Sequence, residues 1–268
     1  MSEFIINLGH QFTAMKRLSL ICLFLLFGFF VFAQKEATDF KNKQLGNKYL
    51  AQIELKGQLA KYDFSRLFTN SDNSVIYGFI GNNYQRIRIK LIRVTKDSLS
   101  PDTYHIYGKS MVKNNIDGFK GTIKISNIRK LKDMMYGADE EYKNKGIKGE
   151  YVILADYTFS ENKGQNHSGV FKGVCESDFY LDKNSKVHYD DIEMNADGYT
   201  NNQFVGQWIS YNSNIIKKCN WGDYRIPDSG QFDIGAGDFS PHGYDNKYLK
   251  NGWQNIDDQK AESAKWWE

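Results

Sequence analysis

Phe119-Lys120-Gly121-Thr122-Ile123-Lys124-Ile125 sets the architecture of this chain. Apolar and polar residues alternate strictly, so Phe119, Gly121, Ile123 and Ile125 share one face of a strand and Lys120, Thr122 and Lys124 the other. The opening Phe-x-Gly recurs as Phe79-Ile80-Gly81, Phe171-Lys172-Gly173 and Phe204-Val205-Gly206. Copies two to four each follow a turn rich in Asn, Asp or Gly. A glycine two residues after a phenylalanine points to the same side of the sheet. It lets the sheet coil or leaves room for a neighbouring ring, and such motifs, one per hairpin, mark antiparallel barrels. By the same parity Cys175 and Trp208 face inward. The expectation is an all-β chain: a coiled antiparallel barrel of about eight to ten strands, with an open sandwich as the alternative.

Further strand signals lie at Tyr49–Lys56, Val75–Ile80, Tyr84–Val94, Thr103–Met111, Ile147–Phe159, Phe179–Leu181, Val187–Ile192 and Phe204–Tyr211. In the third, Ile87, Ile89 and Leu91 oppose Arg86, Arg88 and Lys90, and the apolar parity then flips at Ile92 and Val94. That flip predicts a bulge or bend near Leu91. The cationic stripe reads as a solvent face, or as a contact for an anionic surface. Ile128 to Lys145 has the spacing of one short helical insertion. The domain reading is a flexible lead-in over 34–48, a barrel over 49–225, and Gly/Asp-rich loops with a terminal helix over 226–268.

Val170-Phe171-Lys172-Gly173-Val174-Cys175, followed by Phe179-Tyr180-Leu181-Asp182-Lys183-Asn184, resembles a hairpin of the calycin barrels, the avidin- and lipocalin-like group. Gly206-Gln207-Trp208 is similar to their Gly-x-Trp, although here it comes near the end of the chain. The resemblance implies a barrel that holds a small ligand in its mouth. The C-terminal pattern, Asn201 to Gly206 and Cys219 to Pro227, also resembles exported proteins of Gram-negative bacteria.

Met15-Lys16-Arg17, the apolar run Leu18–Phe32 and Ala33-Gln34 read as a cleaved signal peptide, with Met15 as the start and residues 1–14 as an extension. The run is about 22 Å long as a helix, short for the roughly 30 Å hydrocarbon core of a bilayer. Cys22 lies inside the run rather than after it, against lipidation. The reading is therefore an exported protein of periplasm, cell surface or medium, with no stable membrane insertion after cleavage. Thirty-five basic residues against 32 acidic ones, a net charge of +3, argue against nucleic acid as a partner. Two cysteines remain in the exported part. Cys175 and Cys219 either form one disulfide, worth about 4 kcal/mol for a loop of this length, or stay as two buried thiols. Oligomeric state is not legible.

No Gly-x-Ser-x-Gly, His-Glu-x-x-His or Gly-x-x-x-x-Gly-Lys string occurs, and His105, His167, His188 and His242 lack metal-ligand spacing. The most unusual segment is Trp221–His242, in which Asp223, Asp228, Asp233 and Asp238 recur every five residues. Five fits neither a strand face nor a helix face, so these are loop positions. Their alternatives are solvated Asx turns or an oxygen-rich loop for Ca²⁺ or sugar hydroxyls. The candidate ligand-binding residues are Trp208, Trp221, Asp223, Tyr224 and Arg225. The candidate metal ligands are Asp228, Asp233 and Asp238, for Ca²⁺, with no other cofactor and no catalytic residue named. The functional expectation is a non-catalytic binding protein for a small molecule or glycan, its site at a barrel mouth under the C-terminal loops. A glycan hydrolase using two carboxylates and a protein-interaction subunit of the cell envelope are the alternatives.

Overall fold

A computed structural model describes residues 35–233, 235, 237–241 and 246–268. The leader and His242 lie outside the described residues. Among the described residues no helix is long and apolar enough to cross a membrane.

Nine strands form one antiparallel sheet: β1 Ile76–Ile80, β2 Gln85–Lys96, β3 Thr103–Val112, β4 Asn115–Lys130, β5 Gly149–Glu161, β6 Gly169–Leu181, β7 Val187–Tyr189, β8 Asn201–Ser210 and β9 Ile216–Asp223. Each long strand pairs with the next, β6 passes on to β8, and β9 returns to β1, so eight strands close a barrel. Short β7 adds to the end of β6 alone. The alternation that opened the analysis is realised: Phe119, Ile123 and Ile125 are buried inside and Lys120 and Lys124 are exposed. The predicted bulge is present, with Leu91 opposite Gly108 and Arg93 opposite Tyr107, which leaves Ile92 unpaired and 38% exposed.

Aromatic rings fill the lower and middle barrel. Phe119 stacks on Phe159 at 5.2 Å, Phe204 on Trp221 at 4.6 Å and Tyr151 on Phe179 at 5.0 Å. Glycines make this filling fit. A Cβ at Gly173 would stand 2.9 Å from the buried Tyr157 hydroxyl, and one at Gly206 would meet the same oxygen. Two of the four Phe-x-Gly glycines thus give space to one tyrosine of the adjacent strand β5, which pairs directly with Gly173.

The strand expected at Tyr49–Lys56 does not form, and the chain beyond it makes a plug. Leu50 makes a single bridge to Leu131, Lys56–Leu59 form a helical turn, and the chain then drives Phe64, Leu67 and Phe68 into the barrel end. The Phe64 ring lies 4.9 Å from that of Phe179. Asp223 anchors the plug. Its Oδ2 accepts from Asn202 Nδ2 at 2.7 Å, from the Tyr189 hydroxyl at 2.9 Å and from Ser71 Oγ, while Asn202 also donates to Leu67 O at 2.9 Å.

Three other expectations are corrected. Residues 35–45, read as flexible, are helical, and bury Ala37 and Phe40 against Val174 and Val205. The helical insertion does not form. Residues 132–148 are turns, broken by left-handed backbone at Gly137, Glu140 and Gly146. The terminal helix shrinks to Gln259–Glu262, capped by Asp258. The C-terminal segment packs on the outer wall: Phe232, Phe239, Trp253 and Ile256 cluster on Phe79, and Glu262 joins Arg86 and Arg88. The cationic stripe is therefore covered by the chain itself, with Arg86 7% exposed.

The disulfide is absent. Cys175 and Cys219 are free and buried. Both face inward, but β8 lies between β6 and β9, so the two backbones stand about 9–10 Å apart, beyond the roughly 7 Å a bridge spans.

Two outcomes follow. Thiol titration with a bulky reagent should find no reactive cysteine in the native protein and both after denaturation, without reductant. A mass of two hydrogens fewer would restore the bridge. Asp223→Ala, which strands three donors, should lower unfolding free energy in urea by about 3 kcal/mol; a loss below about 1 kcal/mol would show that the anchor contributes little.

Candidate functional site

The end opposite the plug is open. Its rim is made by four hairpin connections, 81–84, 113–114, 162–168 and 211–215. Inside lies a cavity of about 500 Å³, within the range of small-molecule sites. Ile80, Ile87, Val112, Phe171 and Trp208 give it an apolar floor and wall, and Lys113, Asn115, His167 and Lys217 stand at its edge.

Glu161 organises this mouth. It ends the inward row of β5 two residues after Phe159, and is 5% exposed. Its Oε1 accepts from Ser110 Oγ at 2.6 Å, and its Oε2 from Gly169 N at 2.8 Å and Trp208 Nε1 at 2.9 Å. Burial pushes Glu161 above the usual carboxylate range, against the pull of these three donors. Gly169 is essential to the arrangement, because a Cβ there would meet the Trp208 indole at 2.7 Å. Lys217 Nζ lies 5.7 Å from the Trp208 ring centroid. Asp117 ends the inward row of β4 two residues before Phe119, which pairs with Glu161. The two residues are thus diagonal neighbours on adjacent strands, their backbone positions about 7–8 Å apart by sheet geometry. Burial also raises Asp117, whose Oδ2 accepts from Asn115 Nδ2 at 2.6 Å.

The residues expected to bind ligand are not brought together. Trp208 lines the mouth. Trp221 is core, 2% exposed and stacked on Phe204. Asp223 anchors the plug at the other end. Tyr224 and Arg225 line a separate cavity on the outer wall. Among the described residues, none of 226–268 lines the mouth cavity. The three metal candidates are also apart in role. Asp233 holds Arg225 Nη1 through both oxygens at 2.8 and 2.7 Å, Asp228 offers its carbonyl to Lys218 at 3.0 Å, and Asp238 lines the outer cavity. Among the described residues no three His, Cys, Asp or Glu are grouped to hold a metal ion. Sequence reasoning missed Glu161, Asp117, Ser110 and His167. The signal was there for the first two: each continues an apolar inward parity with a carboxylate at the strand end.

A second set of acids lies on the outer face of β5 and β6. Glu150 sits diagonal to Asp178 across the ladder, with Glu176 next on β6 and Asp190 just after β7. The 132–148 turns cover them, Met135 N donating to Glu150 Oε2 at 2.6 Å and Gly137 N to Glu193 Oε1 at 2.9 Å. One oxygen each of Glu176 and Asp178 is shut from solvent without a hydrogen-bond partner among the described residues. Burial pushes Glu150 and Glu176 up to about 7 and Asp190 to about 6, and raises Asp178 further in the company of its acidic neighbours. Asp223 at the plug is likewise raised to about 6 by burial.

No family model matches the chain, and no curated protein or solved structure matches it.

The acids fix a pH dependence. Each binds a proton more readily folded than unfolded. The stability they carry is present in full below about pH 4, where unfolded carboxyls titrate, and is lost as pH rises through 6 to 7. The melting temperature should be higher at pH 5 than at pH 8 by at least about 5 °C. Calorimetry showing an equal or lower value at pH 5 would contradict the burial of these groups as acids.

Proposed function

We propose that this protein is a non-catalytic binding protein whose open barrel mouth takes one small molecule. The observation that carries the reading is the asymmetry of the barrel. One end is plugged by the protein's own Phe64, Leu67 and Phe68, and the other keeps an empty volume of about 500 Å³ between Trp208, Phe171 and Ile87. A chain built only to be stable has reason to fill both ends, since unfilled interior forfeits packing. The Glu161 hydrogen bonds hold Trp208 in place before any ligand arrives, which lowers the ordering cost of binding. An apolar floor under a polar, partly cationic rim suits a ligand with an apolar or aromatic body and a polar or acidic head. Export follows from the leader reading and is part of the same proposal.

A second reading, a hydrolase for glycans, draws on one observation: Asp117 and Glu161 are two carboxyls on diagonal positions of neighbouring strands at the mouth, the kind of pair such enzymes use. Against it, both oxygens of Glu161 are already engaged by Ser110, Gly169 and Trp208. The interaction-subunit reading finds little support, because the exposed large apolar side chains, such as Ile53, Leu99, Met135 and Ile215, sit singly on separate loops.

An anilinonaphthalene sulfonate dye has the required apolar body and acidic head. It should bind saturably, one molecule per chain, and Val112→Trp, which fills the cavity from its wall, should weaken it at least tenfold without lowering the melting temperature. Equal binding by the variant would place the dye elsewhere and remove the mouth reading. Turnover of aryl glycosides, lost in Asp117→Asn, would establish the hydrolase instead.

A further inference from the structure

Outside the barrel, where the C-terminal segment crosses the wall, a second cavity of about 370 Å³ is lined by described residues from 74–77 at the start of β1, the loop 194–199, Tyr224 and Arg225, and the stretches 237–239 and 256–262. We infer that it is a binding site for a neutral saccharide, independent of the mouth. Three observations lead there.

Its wall is mostly polar, unlike that of the mouth, yet aromatic rings stand on both sides of it. Tyr77 and Phe239 stack at 4.6 Å, and Tyr199 and Tyr224 meet edge to face at 4.8 Å. Each pair joins residues from different segments, so the rings are braced and partly buried. A sugar ring needs this combination, because it has a C–H face for an aromatic surface and hydroxyls for polar groups around it.

The strongest charges at the cavity are already satisfied within the protein. Arg225 is held by both oxygens of Asp233 and by the Gly237 carbonyl. Glu262 is held by Arg86 and Arg88, with side-chain exposures of 5% for Glu262 and 8% for Arg86. An anionic ligand would need an arginine released from its buried pair, which costs more than a surface contact returns. The exposed polar lining groups are of another kind: Asp238, Asp257 and Gln259. Two carboxylates and a carboxamide around one cavity accept from and donate to hydroxyls.

The third observation is that the site is built from distant parts of the chain. Its walls meet where the C-terminal segment docks through Trp253, Phe239 and Glu262. Docking brings Asp238 and Gln259 into one cavity with Tyr199 and Tyr224, residues far apart in the sequence.

The test is a nuclear magnetic resonance titration of the full chain with glucose, galactose, mannose, N-acetylglucosamine, glucosamine and the dimers of the neutral sugars. At least one neutral sugar should shift the amide signals of Gly198, Tyr224 and Gln259 saturably. Asp238→Ala and Gln259→Ala alter exposed side chains, and each should weaken that sugar at least tenfold with the melting temperature unchanged. Val112→Trp should leave the sugar titration intact, so failure at the mouth and failure here are told apart. Silence of these amides with every sugar at tens of millimolar overturns the inference. So do shifts confined to the mouth, shifts that persist in both variants, and binding of glucosamine alone, which would mark a cation site.

Discussion

A closed eight-stranded barrel encloses a volume that its own side chains must fill, and this protein fills it with rings. Phe119, Phe159, Phe204, Trp221, Tyr157 and Phe171 form a continuous aromatic core. Rings this large cannot face one another across a narrow barrel unless some wall positions carry no side chain. Gly173 and Gly206 lie directly opposite each other on β6 and β8, and the Tyr157 hydroxyl occupies the space they leave. The Phe-x-Gly repeat therefore records one constraint twice, supplying both the filler and the room for a neighbour's filler. The aromatic filling extends from the plug upward and ends at Phe171 and Trp208. The mouth begins where the rings stop.

That boundary explains why polar residues appear where they do. Inward rows that are apolar in mid-barrel become polar at their open ends: Phe119 gives way to Asp117, Phe159 to Glu161, and Gly108 to Ser110. A carboxylate left alone at this depth would be costly, and Glu161 is tolerated because three donors converge on it. The donors are drawn from three strands, so the same bonds fix the spacing of the rim and the orientation of Trp208. The opposite end solves the equivalent problem differently. There Asp223 gathers Ser71, Tyr189 and Asn202, and the result is a closed plug. Two buried acids at two ends thus have opposite consequences, set by whether the chain between them supplies aromatic rings to the opening.

The barrel was legible because period-two patterning carries through sequence alone. So was the bulge at Leu91, since a parity flip within one strand has few other solutions. Three classes of feature were not. β9 was missed because Ile216–Asp223 mixes Lys217, Lys218 and Asn220 into its pattern; its inward Lys217 is at the mouth, where polarity is allowed, and Asn220 is buried by a hydrogen bond to Gly206 N. The strand expected at Tyr49–Lys56 is absent, because a short apolar run does not reveal whether it pairs, and nothing in the sequence marked Phe64, Leu67 and Phe68 as a plug. Ile128–Lys145 reads as helix because Leu131, Met134, Met135 and Tyr142 have helical spacing, but 128–130 end β4 and the turns beyond are broken by left-handed residues that include Glu140, whose backbone a sequence does not disclose. The candidate site suffered most. Trp208, Trp221, Asp223, Tyr224 and Arg225 are close along the chain, but a strand alternates its faces and then leaves the barrel, which sends them to the mouth, the core, the plug and the outer wall.

The same dispersal explains why the mouth and the outer cavity differ in character. The mouth is bounded by hairpins of a single sheet, so its shape is fixed by ladder register, and its lining is inherited from an aromatic core. The outer cavity is bounded by segments that meet only through packing, and its lining is inherited from loops, where Asp, Gly and Tyr are common. An apolar interior truncated by polar strand ends selects ligands by the part they can bury. A polar cleft braced by rings selects by hydroxyl geometry. Arg86 and Arg88 connect the two, since they project outward from β2, whose inward Ile87 forms the mouth floor, and clamp the Glu262 that holds the C-terminal segment in place.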